Sequence, residues 1–174
     1  MKKLLDRIKL CMLPPPQRRS LPYECYWEES ILSQEQERIF SNQWLGLGRS
    51  DRLENPGEYE AFELCGQALV LIRNQDKELR LYANTCRHRG AKLLDGTGQC
   101  QAISCPFHGW TYSLDGNLKH AKTMAENSSF DFAEHSLIEY KLKELQGFLF
   151  GFLGNTPTDL SNQLGNFSEL HQPW

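Results

Sequence analysis

From Trp44 onward the chain breaks into short apolar or alternating segments separated by turn residues. Segments of this length and period predict strands rather than helices. "WLGLGR" is the first candidate, followed by a turn with Asn55-Pro56-Gly57 at its tip. "EAFELC" alternates, Gly66-Gln67 turns, and "ALVLIR" reads as a buried strand. "NQDK" turns again before "ELRLYAN"; "QAISC" is a strand ending on Cys105. "WTYSLDGNLK" predicts a hairpin about Asp115-Gly116, and "LKELQGFLFGFL" one more apolar strand. The polar stretch "AKTMAENSSFDFAEHS" predicts a surface loop. About seven short strands with regular turns predict an all-β fold, a small antiparallel sandwich or open barrel.

Helical signals flank this region. "SILSQEQERIFSNQWL" predicts a helix with Ser33 and Gln36 as a capping box, ending near Asn42. The first residues predict a short amphipathic helix before the prolines at 14–16. The expected division is an N-terminal arm and helix over 1–43, a β domain over 44–153, and a linker with a short helix over 154–174.

Composition adds boundaries. The 174 residues are 40% hydrophobic and 24% charged with a net charge of −3, as in ordinary globular domains. That balance argues against nucleic acid or an anionic membrane as partner. No apolar run reaches the roughly 20 residues of a membrane helix. Asp6, Arg7 and Lys9 interrupt any signal-peptide core, so the expected location is cytoplasmic, with reduced cysteines. Cys11, Cys25, Cys65 and Cys100 show no paired spacing.

Cys86 and Cys105 are different. Each is followed by a histidine and then a glycine: Cys86, His88 and Gly90 in "CRHRG", Cys105, His108 and Gly109 in "CPFHGW". Sixteen residues separate His88 from Cys105. The glycines permit tight loops with positive φ, and Pro106 stiffens the second loop. Zinc could take two thiolates and two imidazoles, but its common fingers keep cysteine with cysteine and histidine with histidine. Mixing both types within each loop suits a Rieske [2Fe-2S] centre, with two thiolates on one iron and two imidazoles on the other. Neutral imidazoles in place of thiolates make an added electron easier to accept. Such centres accordingly lie at about −150 to +300 mV, against about −400 mV for plant-type clusters.

These loops, with "CPFHGWTYSLDG", "YECYWEESILSQEQERIFSNQWLGLGR" before them and "GFLFGFL" after them, resemble the N-terminal Rieske domain of the large α subunit of Rieske non-haem iron oxygenases. The resemblance covers about residues 22–153. It includes the ring-hydroxylating dioxygenases and relatives that oxidise quaternary ammonium compounds, the latter nearer in the helix region. It implies a Rieske-type fold with two cluster-binding loops and Cys86, His88, Cys105 and His108 as ligands. It also implies electron donation by a reductase or ferredoxin and, in full-length members, a homotrimer.

Full-length members also hold a mononuclear Fe(II) on two histidines and a carboxylate, in a further domain of roughly two hundred residues. Glu134-His135 is the nearest pattern here and lacks a second histidine. The tail "TPTDLSNQLGNFSEL" resembles the start of that domain, and the chain reads as a portion of such a subunit, by truncation or otherwise, that hydroxylates nothing alone. A free-standing Rieske ferredoxin and a structural zinc module are the other readings. Arg87, Arg89 and Lys92 form a basic rim suited to an acidic donor, or simply a solvated one. Trp110 is either a docking surface or a cover over the cluster. His120, His135 and His171 are expected at the surface.

High-potential respiratory Rieske proteins carry a loop-joining disulfide where this chain has Ala91 and Phe107, and a serine where it has Trp110; Tyr112 is kept. Fewer donors to the sulfurs stabilise the reduced form less. The expected midpoint lies at the low end of the range, falling as pH rises; a redox titration giving more than about +100 mV would overturn this.

Overall fold

The computed structural model describes residues 2–122, 124 and 127–170; His171 lies outside them. The chain forms two compact units, Met1–Ser41 and Asn42–Trp174.

In the first unit, α1 (Lys2–Lys9) precedes the prolines, and a 3-10 turn covers Tyr23–Tyr26. Arg7 reaches Glu24 at 2.7 Å to tie the two together. The second helix, α2, spans Glu29–Arg38, starting four residues before the expected cap. Ser33 lies inside it, and its hydroxyl donates to the Glu29 carbonyl at 2.9 Å. A serine satisfied by the preceding turn need not cap anything, which is why the Ser33–Gln36 box misleads. A 3-10 turn over Phe40–Asn42 completes the helical stretch.

The second unit is antiparallel β. Its strands are β1 (Trp44–Arg49), β2 (Glu58–Leu64), β3 (Gln67–Arg73), β4 (Leu79–Ala83), β5 (Thr97–Gln99), β6 (Ile103–Ser104), β7 (Thr111–Tyr112), β8 (Leu118–His120), β9 (Glu139–Leu145) and β10 (Phe148–Phe152). Seven form one sheet in the order β1-β10-β9-β4-β3-β2-β5, and β6-β7-β8 form a second. The stretch "LKELQGFLFGFL", expected as one strand, is divided between β9 and β10. Gln146 and Gly147, at φ 51° and 77°, turn the chain between them. Positive φ at both positions is the type I′ hairpin requirement, here met without the usual Asn-Gly signal. β5 is not among the expected strands, because its three residues are exposed and carry no apolar pattern.

β3 explains the layering. Successive side chains of a strand point to opposite faces. Leu69 and Leu71 pack with Leu47, Leu53, Leu81 and Leu149 on one side. Val70 and Ile72 pack on the other side with Tyr82, Ile103, Trp110, Tyr112, Leu114 and Leu118. A strand buried on both faces reads as a continuous apolar run, as "ALVLIR" does. The small sheet thus rests on the Val70–Ile72 face of the large one. Its β7–β8 turn comes so close that a Cβ on Gly116, at φ 77°, would lie 2.8 Å from the Tyr82 ring.

A third cluster joins Trp44, Phe150 and Phe152 to Leu160, the first residue of α3 (Leu160–Leu164). The Trp44 indole N–H donates to the Thr158 carbonyl at 2.7 Å. The Gln163 amide pairs with both the N–H and the C=O of Trp44, each at 2.8 Å, and so satisfies the outer edge of β1 there. A last short helix, α4, covers Phe167–Leu170.

Leu81 is fully buried on the leucine face. Leu81→Ala should lower the unfolding free energy by about 2–5 kcal/mol, the range for core truncations, as measured by urea denaturation.

Candidate metal centre

The two cysteine–histidine segments form loops of one construction. In the first, the Cys86 N–H donates to the Ala91 carbonyl at 2.7 Å and the Gly90 N–H to the Cys86 carbonyl at 2.9 Å. In the second, Cys105 donates to Trp110 at 2.8 Å and Gly109 to Cys105 at 3.1 Å. The glycines have φ of 74° and 69°, the left-handed conformation the closure needs. Strand pairing continues below each loop, through the bridge Thr85–Lys92 and the pair Ser104–Thr111.

The first loop is braced from behind by Asn84, which is fully buried. Its amide donates to the Leu94 carbonyl at 2.8 Å, and its oxygen accepts the Leu94 N–H at 3.0 Å. Sequence reasoning missed this residue, since an asparagine beside a strand end signals only a turn.

Cys86, His88, Cys105 and His108 line one cavity of about 300 Å³, with Arg89 and Phe107 at its wall. All four candidate ligands are therefore brought together. The thiols are buried, at 3% and 4% residue exposure, whereas His108 is exposed and His88 half-buried. The two imidazoles lie edge to face with centroids 4.8 Å apart. The His88 Nδ1 is buried and has no hydrogen-bond partner among the described residues. Buried polar atoms without partners are rare, and this one offers a free nitrogen donor where a metal would use it. Burial, then Arg89 and His108, push the His88 pKa down, which keeps the ring neutral and its lone pair available.

Among the described residues, no three His, Cys, Asp or Glu side chains gather as a site for one metal ion. A [2Fe-2S] centre needs only two protein donors on each iron, and the residues present fit it.

Tyr112 contacts the cysteine side of the cavity. Its hydroxyl accepts the Arg87 N–H at 3.0 Å and lies 3.4 Å from the Cys86 Sγ. With one lone pair engaged, the phenolic proton is free to point at the sulfur. Burial, then the contact with Cys86, push the phenol pKa up, so it stays a donor.

Trp110 is 2% exposed and lies flat on His88, with centroids 4.8 Å apart and planes at 12°. It covers the imidazole and is no docking surface. On the rim, Arg87, Arg89 and Phe107 are exposed, but Lys92 is engaged by Asp95. His120 is exposed as expected. His135 is not a plain surface residue: it is half-buried and its ring meets Trp110 and Phe130. Apolar Phe130 and Phe132, set in a polar stretch, were the signal that this loop folds onto the core.

The Rieske [2Fe-2S] domain family matches residues 43–141. The carnitine monooxygenase oxygenase subunit of Escherichia coli K12 is 34% identical over 151 residues, covering 86% of this chain and 40% of the relative. The benzene 1,2-dioxygenase α subunit of Pseudomonas putida is 30% identical, covering 80% of this chain and 32% of its own length. Among solved structures, a quaternary ammonium Rieske monooxygenase, CntA, in complex with an inhibitor, superposes with a TM-score of 0.82 at 33% identity, over 88% of this chain and 43% of that one. The chain thus spans about two fifths or less of the length of these relatives. No helix among the described residues is long and apolar enough to cross a membrane.

Asn84→Ala should leave the Leu94 N–H and C=O without their partner and cost about 1–3 kcal/mol of stability in denaturant titration.

Proposed function

We propose that this chain, which belongs to the Rieske [2Fe-2S] domain family, transfers single electrons as the N-terminal portion of an oxygenase α subunit, with Cys86, His88, Cys105 and His108 as its cluster ligands. The cluster, when bound, takes up and returns one electron without bond making in the protein. The observation that carries the reading is the shared cavity: two buried thiols, two imidazoles, and a buried His88 Nδ1 with no hydrogen-bond partner among the described residues.

The chain's own residues divide the work. Cys86 and Cys105 hold the inner, water-shielded side, and His88 and His108 the outer side. Trp110 keeps water from one imidazole. Tyr112 directs its proton to the Cys86 sulfur, which favours the more negative, reduced state. The exposed Arg87, Arg89 and Phe107 form the rim where an acidic reductase or ferredoxin would dock.

Similarity to the carnitine monooxygenase subunit runs over 151 residues, more than the 99 positions of the matched domain. That surplus favours an oxygenase subunit over a free-standing carrier. On this reading residues 154–174 lead toward a further domain that holds the mononuclear iron, and the working assembly is a homotrimer in the cytoplasm.

The test is metal analysis with electron paramagnetic resonance of the dithionite-reduced protein. Equal iron and acid-labile sulfide, and a spectrum of low average g, are expected; zinc without sulfide would overturn the reading. Cys105→Ala should abolish the signal. Tyr112→Phe should keep it but lower the midpoint potential by about 60 mV, the equivalent of a hydrogen bond of about 1.4 kcal/mol made to the reduced state.

A further inference from the structure

The Trp110 indole is buried, yet its Nε1–H has no hydrogen-bond partner among the described residues. A buried donor without an acceptor does nothing to hold its own ring in place. The ring's orientation is left to what it touches. One face lies on His88. Two rings from the loop after β8 meet it at steep angles: Phe130 at 5.6 Å and 80°, and His135 at 5.8 Å and 71°. These two also pack on each other at 4.3 Å, and Phe132 supports Phe130 from 5.2 Å.

His135 is itself fixed. Its Nδ1 lies 2.8 Å from the Asp131 carbonyl, which can only accept, so Nδ1 carries the proton. The Asp131 carboxylate accepts the Ala133 N–H at 2.8 Å, closing the same turn. A short 3-10 turn over Ala133–His135 therefore presents the imidazole in one orientation.

We propose that Phe130 and His135 form an aromatic clamp that presses Trp110 flat against His88, making them positioning residues for one imidazole donor of the cluster. The inference rests on the cluster reading above. It makes the two histidines unequal: His88 is half-buried with Trp110 stacked flat on it, whereas His108 is exposed and meets the exposed Phe107 ring at a tilt, 5.8 Å away. The polar stretch whose composition predicts a surface loop thereby acts on the centre through Trp110.

The experiment uses the full chain purified with its cluster, alongside His135→Ala, Phe130→Leu and His135→Phe. Two quantities are read: the nitrogen couplings of the reduced centre by electron–nuclear double resonance, and the rate of cluster loss in air. The clamp predicts that His135→Ala and Phe130→Leu change the coupling of one imidazole only. Both should lose the cluster roughly three- to tenfold faster, the factor that one aromatic contact is worth. His135→Phe, which keeps a ring at the same place, should restore both readouts. Parent-like couplings in His135→Ala and Phe130→Leu, or a change that His135→Phe does not rescue, would overturn the clamp. A parent protein without a Rieske spectrum would overturn the cluster reading and the clamp with it.

Discussion

Four backbone hydrogen bonds, two in each loop, are the constraint on which the site depends. They close Cys86 to Gly90 and Ala91, and Cys105 to Gly109 and Trp110, in matching fashion. Closing each loop through its own cysteine fixes the thiol at the base, where both are buried. The histidines fall two and three residues further on, nearer the tip, where one is half-buried and one exposed. A single local geometry, used twice, thus sorts sulfur inward and nitrogen outward. The glycines are required because the closing residue has positive φ in both loops.

The loops need a rigid base, and the two-layer core supplies it. β3 sends Val70 and Ile72 to the face that carries the small sheet, and Leu69 and Leu71 to the other. Tyr112, Trp110 and Cys105 belong to the same buried cluster as Val70 and Ile72. Core packing and site geometry are therefore not separable on this side. A side chain such as Tyr112 fills the core and also places a hydroxyl beside the Cys86 sulfur. Asn84 does the corresponding work in polar form, since a buried amide with both its groups paired holds the following segment in one register.

An electron-transfer centre needs protection from water and access for a partner at the same time. Here the two demands fall on different residues. The thiols and Trp110 are buried and His88 is half-buried, whereas His108 and Phe107 are exposed. Two exposed arginines flank that open side, whereas Lys92 is taken up by Asp95. The positive rim is thereby narrower than a count of basic residues suggests.

The candidate site was legible in the order of residues, because residue type and short spacing single out possible metal donors. Cys86, His88, Cys105 and His108 could be named as candidates from the loops alone, and the structure sets them around one cavity; strands such as "ALVLIR" could be named from their local pattern. Hairpins with unusual turn residues were not legible: Gln146-Gly147 divides β9 from β10 through backbone φ that no common turn signal announces. Nor was the cap of α2, where Ser33 found its partner within the helix. Only the tertiary structure could decide that Trp110 covers His88, that Asn84 braces a loop, and that Phe130 and His135 return to the site from a polar stretch. Those contacts join residues ten to twenty-five positions apart, and their strength comes from burial shared between partners, a property that no residue carries by itself.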